Sequence, residues 1–257
     1  MLIVTLTTDW KDGDYNIGRL KACIISCNSN ICIIDITHNI QAYNTLQAAF
    51  VLKNTYQYFP CGSIHVIGVN SEPSPNNPIV AMKNDEHFFV GANDGMLSLI
   101  CDKQPDSVVE LPYDDNHRGF HFAGALSNCI KAIYAGLKLE DFGKVCELRQ
   151  EFTSYPACNE SSIIGRVIYI DAFGNAITNI DKKTFEKIRK NRKFEISIQS
   201  NMAKITKLSQ YYDDEKKGEM FAMFNSIELL ELAIFNKNLA HLYGIDTKSS
   251  IIIKFIN

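Results

Sequence analysis

The chain has 257 residues, with 26 lysines and arginines against 29 aspartates and glutamates and a formal net charge of −3. That balance gives no electrostatic footprint for nucleic acid, and no apolar run approaches the ~20 residues of a membrane span. The length holds one large or two modest domains with real cores, and the sequence opens directly on Leu2-Ile3-Val4-Thr5-Leu6 without a basic region or cleavage site. A cytoplasmic protein with neither a nucleic-acid nor a membrane partner is expected.

In chain order, Leu2–Leu6, Ile31–Ile36 and Ser63–Val69 are short apolar runs with β-branched content, each bounded by turn residues. Helical spacing fills the intervals at Ile17–Cys27 and Thr45–Tyr58. Strand–helix–strand alternation predicts an α/β domain with a mostly parallel sheet flanked by helices and a ligand crevice at the strands' carboxyl ends. Asp9 and Asn70 both stand just past such ends. His87–Val90 reads as a strand, and Phe120–Gly136 as a helix closed by its glycine.

Pro156, Asn159, Ser161 and Ser162 then mark a linker over 156–162, separating domains 1–155 and 163–257. Beyond it Ile163–Ile170, Ala176–Ile180, Lys193–Gln199, Gly218–Asn225, Leu229–Ile234 and Ser250–Phe255 read as strands. Their short connections predict a smaller all-β, barrel-like domain. Thr184–Lys193 is a basic amphipathic patch, read as a solvated helix. Of the eight cysteines, Cys23, Cys27 and Cys32 form no C-x-x-C pair, and no histidine follows at zinc spacing. Reduced thiols packed in the core are expected, and no metal site.

The segment Ile168–Ile180 reads as strand, tight turn, strand, with Asp171 and Asn175 crowding the turn around Gly174. Asp and Asn bond their own backbone in turns, so an ordinary hairpin is the plain reading. Two further polar turns follow strands: Thr7-Thr8-Asp9 through Asp14, and Asp35-Ile36-Thr37-His38. A lone Asp such as Asp9 is ordinarily a cap or Asx turn. Beside a crevice its carboxylate can also accept both hydroxyls of a ribose diol.

Taken in order, these segments resemble the S-adenosylmethionine hydroxide adenosyltransferase family, which includes enzymes that fluorinate and chlorinate using S-adenosylmethionine (SAM). Thr7-Thr8-Asp9 with Asp14 and Lys21 is similar to the family's opening T-T-D-(x)4-D-(x)6-K, and Asp35–His38 to its D-I-T-H. Phe59-Pro60-Cys61-Gly62-Ser63-Ile64-His65-Val66 resembles F-P-x-G-T-V-H-V, and Asn93-Asp94-Gly95-Met96-Leu97 stands where the family has D-N-G-x-L. Asp171-Ala172-Phe173-Gly174-Asn175 and Asn225-Ser226 complete the set. The resemblance implies SAM as substrate without a separate cofactor, and a homotrimer whose sites lie between the N-terminal domain of one subunit and the C-terminal domain of the next. It places Asp9 on the ribose diol, Asp171 on the methionine ammonium, Asn175 on the adenine edge and Ser226 on the methionine carboxylate. Phe173 and Tyr43 become apolar walls for the adenosine, Tyr43 as in the halogenating members. Ile227 stands where the family often has a carboxylate-binding arginine.

The reactive end departs from that pattern. Hydrolytic members set an Asp and an Arg, written D-P-G-V-G-(x)2-R, and a distant His from F-H-G-R-D around the attacking water. Here those positions are Asn70, Asn77 and His121, and Pro73, Ser74 and Pro75 fill the loop between the first two. His117 is a second candidate for the histidine. Neutral amides position water but do not take its proton, which leaves His121 as the base. Loss of general-base assistance costs about 100- to 10,000-fold. Three readings follow: a SAM-cleaving hydrolase, expected to be slow; a non-catalytic adenosine- or SAM-binding protein; and a SAM-dependent halogenase.

Overall fold

In the computed structural model, which describes residues 1–112, 120–198 and 204–256, the opening run extends as β1 (Leu2–Thr8), buried from Val4 onward. Burial on both faces explains why the run is continuously apolar rather than alternating. Asp14 accepts the Asn16 N–H at 2.7 Å and caps α1 (Tyr15–Cys27), which turns Ile17, Leu20 and Ile24 inward. β2 (Ile31–Thr37) and α2 (Thr45–Lys53) follow. The helix expected through Tyr58 stops early: Thr55 Oγ1 bonds back to the Val51 carbonyl at 2.8 Å, and Tyr56–Tyr58 tightens into a 3-10 turn.

Next come β3 (Ile64–Gly68), β4 (Ile79–Asn84), β5 (His87–Ala92), α3 (Met96–Ile100), β6 (Ser107–Glu110), α4 (His121–Tyr134) and β7 (Lys144–Val145). They build one sheet in the order β2-β1-β3-β5-β4-β6-β7. The four strands from β2 to β5 are parallel, whereas β5–β4, β4–β6 and β6–β7 pair antiparallel. The sheet is therefore mixed, a correction to the mostly parallel one expected. The cause is the β4–β5 hairpin, whose loop Asp85-Glu86 carries positive φ at both residues, 48° and 66°. That is type I′ geometry without the Asn-Gly signal that announces it.

The first compact unit is Met1–Phe152 and the second Thr153–Asn257. The second holds β8 (Ala157–Cys158), β9 (Ser162–Ile170), β10 (Ala176–Asp181), α5 (Lys182–Arg189), β11 (Lys193–Ile198), β12 (Met220–Phe224), β13 (Leu229–Ile234), α6 (Leu239–Tyr243) and β14 (Ser250–Ile256). Its antiparallel sheet runs β11-β14-β9-β10-β13-β12, with β8 on β9. Ile163, Phe194, Leu232 and Ile251, from four strands, meet in one core, so the sheet curls round it. Among its described residues the unit carries two short helices, so it is not purely β. The basic patch forms α5, capped by Asp181 and anchored by fully buried Phe185, which meets Phe194 and Phe224 edge-on at 5.3 Å. All eight cysteines are free thiols, but Cys129 alone is buried and Cys61 and Cys158 are exposed, contrary to a general core role. Among the described residues no helix is long and apolar enough to cross a membrane.

Candidate functional site

Four neighbouring parallel strands of the first unit end in polar residues. Asp9 follows β1, His38 follows β2, Asn70 lies beyond β3, and Asn93 and Asp94 follow β5. The chain reverses its direction of winding between β1 and β3, where open α/β sheets form ligand crevices.

The D-I-T-H segment supports this rim. Asp35 takes the Lys21 ammonium at 2.5 Å. Burial disfavours the charged Asp35 carboxylate, but Lys21 and His38 together outweigh it and hold the carboxyl below the usual range. His38 Nδ1 lies 2.9 Å from Thr8 Oγ1, and its carbonyl accepts the Lys11 N–H at 2.7 Å. These bonds fix the loop that begins at Asp9. Asp9 is half-buried, and its Oδ2 accepts the Tyr43 backbone N–H at 2.9 Å. Tyr43 holds a positive φ of 62° and leaves 75% of its surface exposed.

The loop after β3 gathers the reactive-end candidates. Asn70 sits at φ 47°, a left-handed conformation that Asn tolerates, and Asn77 Nδ2 donates to its carbonyl at 2.9 Å. His121 opens α4, and its Nδ1 lies 2.7 Å from Glu72 Oε1. Asn70, Asn77 and His121 therefore converge on the segment from Asn70 to Asn77. The alternative histidine, His117, lies outside the described residues.

Two acidic groups in this neighbourhood were not anticipated as site residues. Glu72 orients the His121 ring. Asp94 accepts Asn70 Nδ2 at 3.4 Å and the Met96 N–H at 3.1 Å. Burial raises the Asp94 pKa, outweighing the lowering by these bonds and by the charge of Arg149. Glu72 carries no sequence signal beyond its place in the loop, whereas Asp94 belongs to a motif already visible.

In the second unit the turn between β9 and β10 is closed by its own polar groups. Asp171 Oδ1 accepts the N–H groups of Phe173 and Asn175 at 2.9 and 2.8 Å, and Oδ2 accepts Asn175 Nδ2 at 2.9 Å. Gly174 is required: it holds φ 82°, and a Cβ there would come within 2.1 Å of Asn238 Oδ1. Phe173 is 78% exposed, and Asn175 is buried. Ser226 is exposed in the turn between β12 and β13. That turn stands at the other end of β10 from Asp171, as Ala176 pairs with Leu232 and Asp181 with Leu229. A polar chain reaches from it: Asn225 Nδ2 donates to buried Glu231 at 3.1 Å, and Tyr212 Oη donates to the same carboxylate at 2.7 Å. Burial, then the bond and charge of Glu231, then the charge of Asp171 raise the Tyr212 pKa.

Among the described residues no group of three or more His, Cys, Asp or Glu side chains is disposed to hold a metal ion. A cleft of about 740 Å³ opens at the amino-terminal end of β1, lined by Met1, Leu2, Pro60, Lys83 and Lys138, and contains none of the candidates.

The arrangement is that of a two-domain α/β protein with its polar residues at a switch point, joined to a curled antiparallel domain. The sequence profile of the SAM hydroxide adenosyltransferase N-terminal domain matches residues 4–143, and that of the C-terminal domain matches residues 165–252. The chain belongs to this family. It is 28% identical over 266 residues to the (R)-S-adenosyl-L-methionine hydrolase of Methanocaldococcus jannaschii, across 95% of this chain and 92% of that protein. Its fold is shared with an uncharacterized conserved protein from Thermotoga maritima, at TM-score 0.86 and 23% identity over 99% of this chain and 100% of that one. A conserved hypothetical protein from Thermus thermophilus matches over 100% of both chains, at TM-score 0.76 and 18% identity.

Proposed function

We propose that the protein cleaves SAM, with water attacking C5′ to release adenosine and L-methionine, more slowly than relatives that carry an Asp–Arg pair. The observation that carries this reading is the pairing of His121 with Glu72 on the loop that also holds Asn70 and Asn77. A sulfonium leaves as a neutral thioether and needs no acid, so the task is to align and activate one water. With Nδ1 donating to Glu72, Nε2 is the basic ring nitrogen, the usual arrangement of a base oriented by a carboxylate. The amides of Asn70 and Asn77 orient the water. Asp9 takes the ribose diol through the oxygen not committed to Tyr43, while Tyr43 and Phe173 cover the adenosine. Asp171 and Asn175 bind the methionine and adenine ends.

The halogenase reading is weaker, because the Asn70 amide that would donate to a halide faces the Asp94 carboxylate. Incubation with SAM, with and without chloride, followed by product separation tests the proposal. Adenosine and methionine in equal amounts are expected, and Asp9→Ala should weaken adenosine binding by ~1–3 kcal/mol. Adenosine binding without cleavage would establish the non-catalytic reading, and 5′-chloroadenosine the halogenase.

The exposed rings of Tyr43 and Phe173 also support a site completed by another copy. We propose the homotrimer of the family resemblance, with each site drawn from the N-terminal domain of one subunit and the C-terminal domain of its neighbour. Sedimentation should give three times 29.0 kDa, and a stable monomer would refute the shared site.

A further inference from the structure

Asp94 is a desolvated carboxylate in direct contact with the reactive loop. It follows β5, the strand beside β3, so its backbone and that of Asn70 leave the sheet from adjacent parallel strands. Asn70 Nδ2 reaches its Oδ2 at 3.4 Å, and Asn77 is tied to Asn70 by the 2.9 Å bond to its carbonyl. Asn77 Oδ1 is buried without a partner among the described residues, an acceptor on a side chain bonded to Asn70. A buried amide oxygen lacking a partner is costly, and a water that bonds both it and a carboxylate relieves the cost. The sequence adds a second, independent observation. Asn93-Asp94 reverses the Asp-Asn order of D-N-G-x-L, which puts a carboxylate rather than an amide beside Asn70.

We propose that Asp94, not Asn70, supplies the carboxylate that activates the attacking water. This rests on the hydrolase reading and deepens it. In the step, the water oxygen forms its bond to C5′ as the C5′–S bond breaks, and the bonding pair goes to sulfur. Asp94 accepts a hydrogen bond from the water and polarises it, and the water proton passes to His121 Nε2 and on to solvent. Adenosine, neutral methionine thioether and one proton balance SAM and water. Burial, which raises the Asp94 pKa, strengthens the carboxylate as a hydrogen-bond acceptor toward that water.

A purely structural role, accepting the Met96 N–H at the start of α3, is separable, because an Asn side-chain oxygen accepts that bond as well. Asp94→Asn should lower kcat for adenosine release at least ~100-fold while adenosine affinity stays within about threefold, and it should remove the acid limb of the pH profile. The exchange variant Asn70→Asp/Asp94→Asn, which keeps one carboxylate and one amide across the same bond, should recover to at least about a tenth of the unmodified rate and restore that limb. A kcat for Asp94→Asn within about threefold of the unmodified protein would overturn the assignment, as would an exchange variant no faster than the single. If Asp94→Asn does not fold, the exchange variant decides alone, and a rate below about a tenth of the unmodified one overturns the proposal. Absence of any adenosine release by the unmodified protein would instead remove the hydrolase reading itself.

Discussion

Replacing His121 with alanine is expected to lower kcat for adenosine release by about 100- to 10,000-fold while leaving adenosine binding within about threefold. The ring opens α4, retains 22% side-chain exposure and is held by Glu72 at 2.7 Å, so it is oriented without being sealed from ligand. Alanine suits a helix start, and urea unfolding of the variant separates a loss of rate from a loss of stability. Glu72→Gln keeps an acceptor for Nδ1–H but removes the charge that stabilises an imidazolium, and a smaller loss of about tenfold is expected. Single-turnover measurement of adenosine formation separates chemistry from release. Rapid turnover that survives His121→Ala would place the chemistry elsewhere in the chain.

The parts of the site that could be read in the sequence are those where one residue type answers one local demand. Gly174 and Asp171 announce a tight turn, and that turn is closed by the bonds those types make. Asp9 and Asn70 were legible as residues just past strand ends, because short β-branched runs precede them. The partners of those residues were not legible. Glu72 meets His121 across a separation of 49 residues, and Asp94 meets Asn70 across 24, through the parallel order β1-β3-β5. Periodicity sets which residues form each strand but not which strands are neighbours. β4 was hidden for a related reason: its hairpin uses Asp85 and Glu86 in left-handed geometry, a conformation set by the strands on either side rather than by the turn residues' own preference. Ser226 shows the converse, a motif residue recognised at once whose turn stands at the far end of β10 from Asp171.

Acid is expected to destabilise the first unit through one buried ring. His65 lies on β3 with no exposed surface, its Nδ1 2.8 Å from Thr5 Oγ1 and its Nε2 3.1 Å from His87 Nδ1. Phe89, Phe59 and Tyr56 surround it, with ring centroids at 5.0, 5.7 and 6.0 Å. Burial first, and the neighbouring His87 second, push its pKa from 6.5 down to about 3. The unfolded chain therefore takes up a proton below pH 6.5 that the folded one refuses until about pH 3, and stability falls with pH across that window. One proton corresponds to a slope of about 1.4 kcal/mol per pH unit, so lowering the pH from about 7.5 to about 5 should remove roughly 2 kcal/mol. His87, whose pKa burial also lowers, adds in the same direction. His65→Gln retains a group able to accept from Thr5 and donate to His87 but does not titrate. Its stability at neutral pH should be lower, because the amide fills the aromatic cage less well, yet its decline toward acid should be shallower. Urea unfolding of both proteins across this range checks the assignment: parallel stability curves would show that the acid sensitivity belongs to other groups.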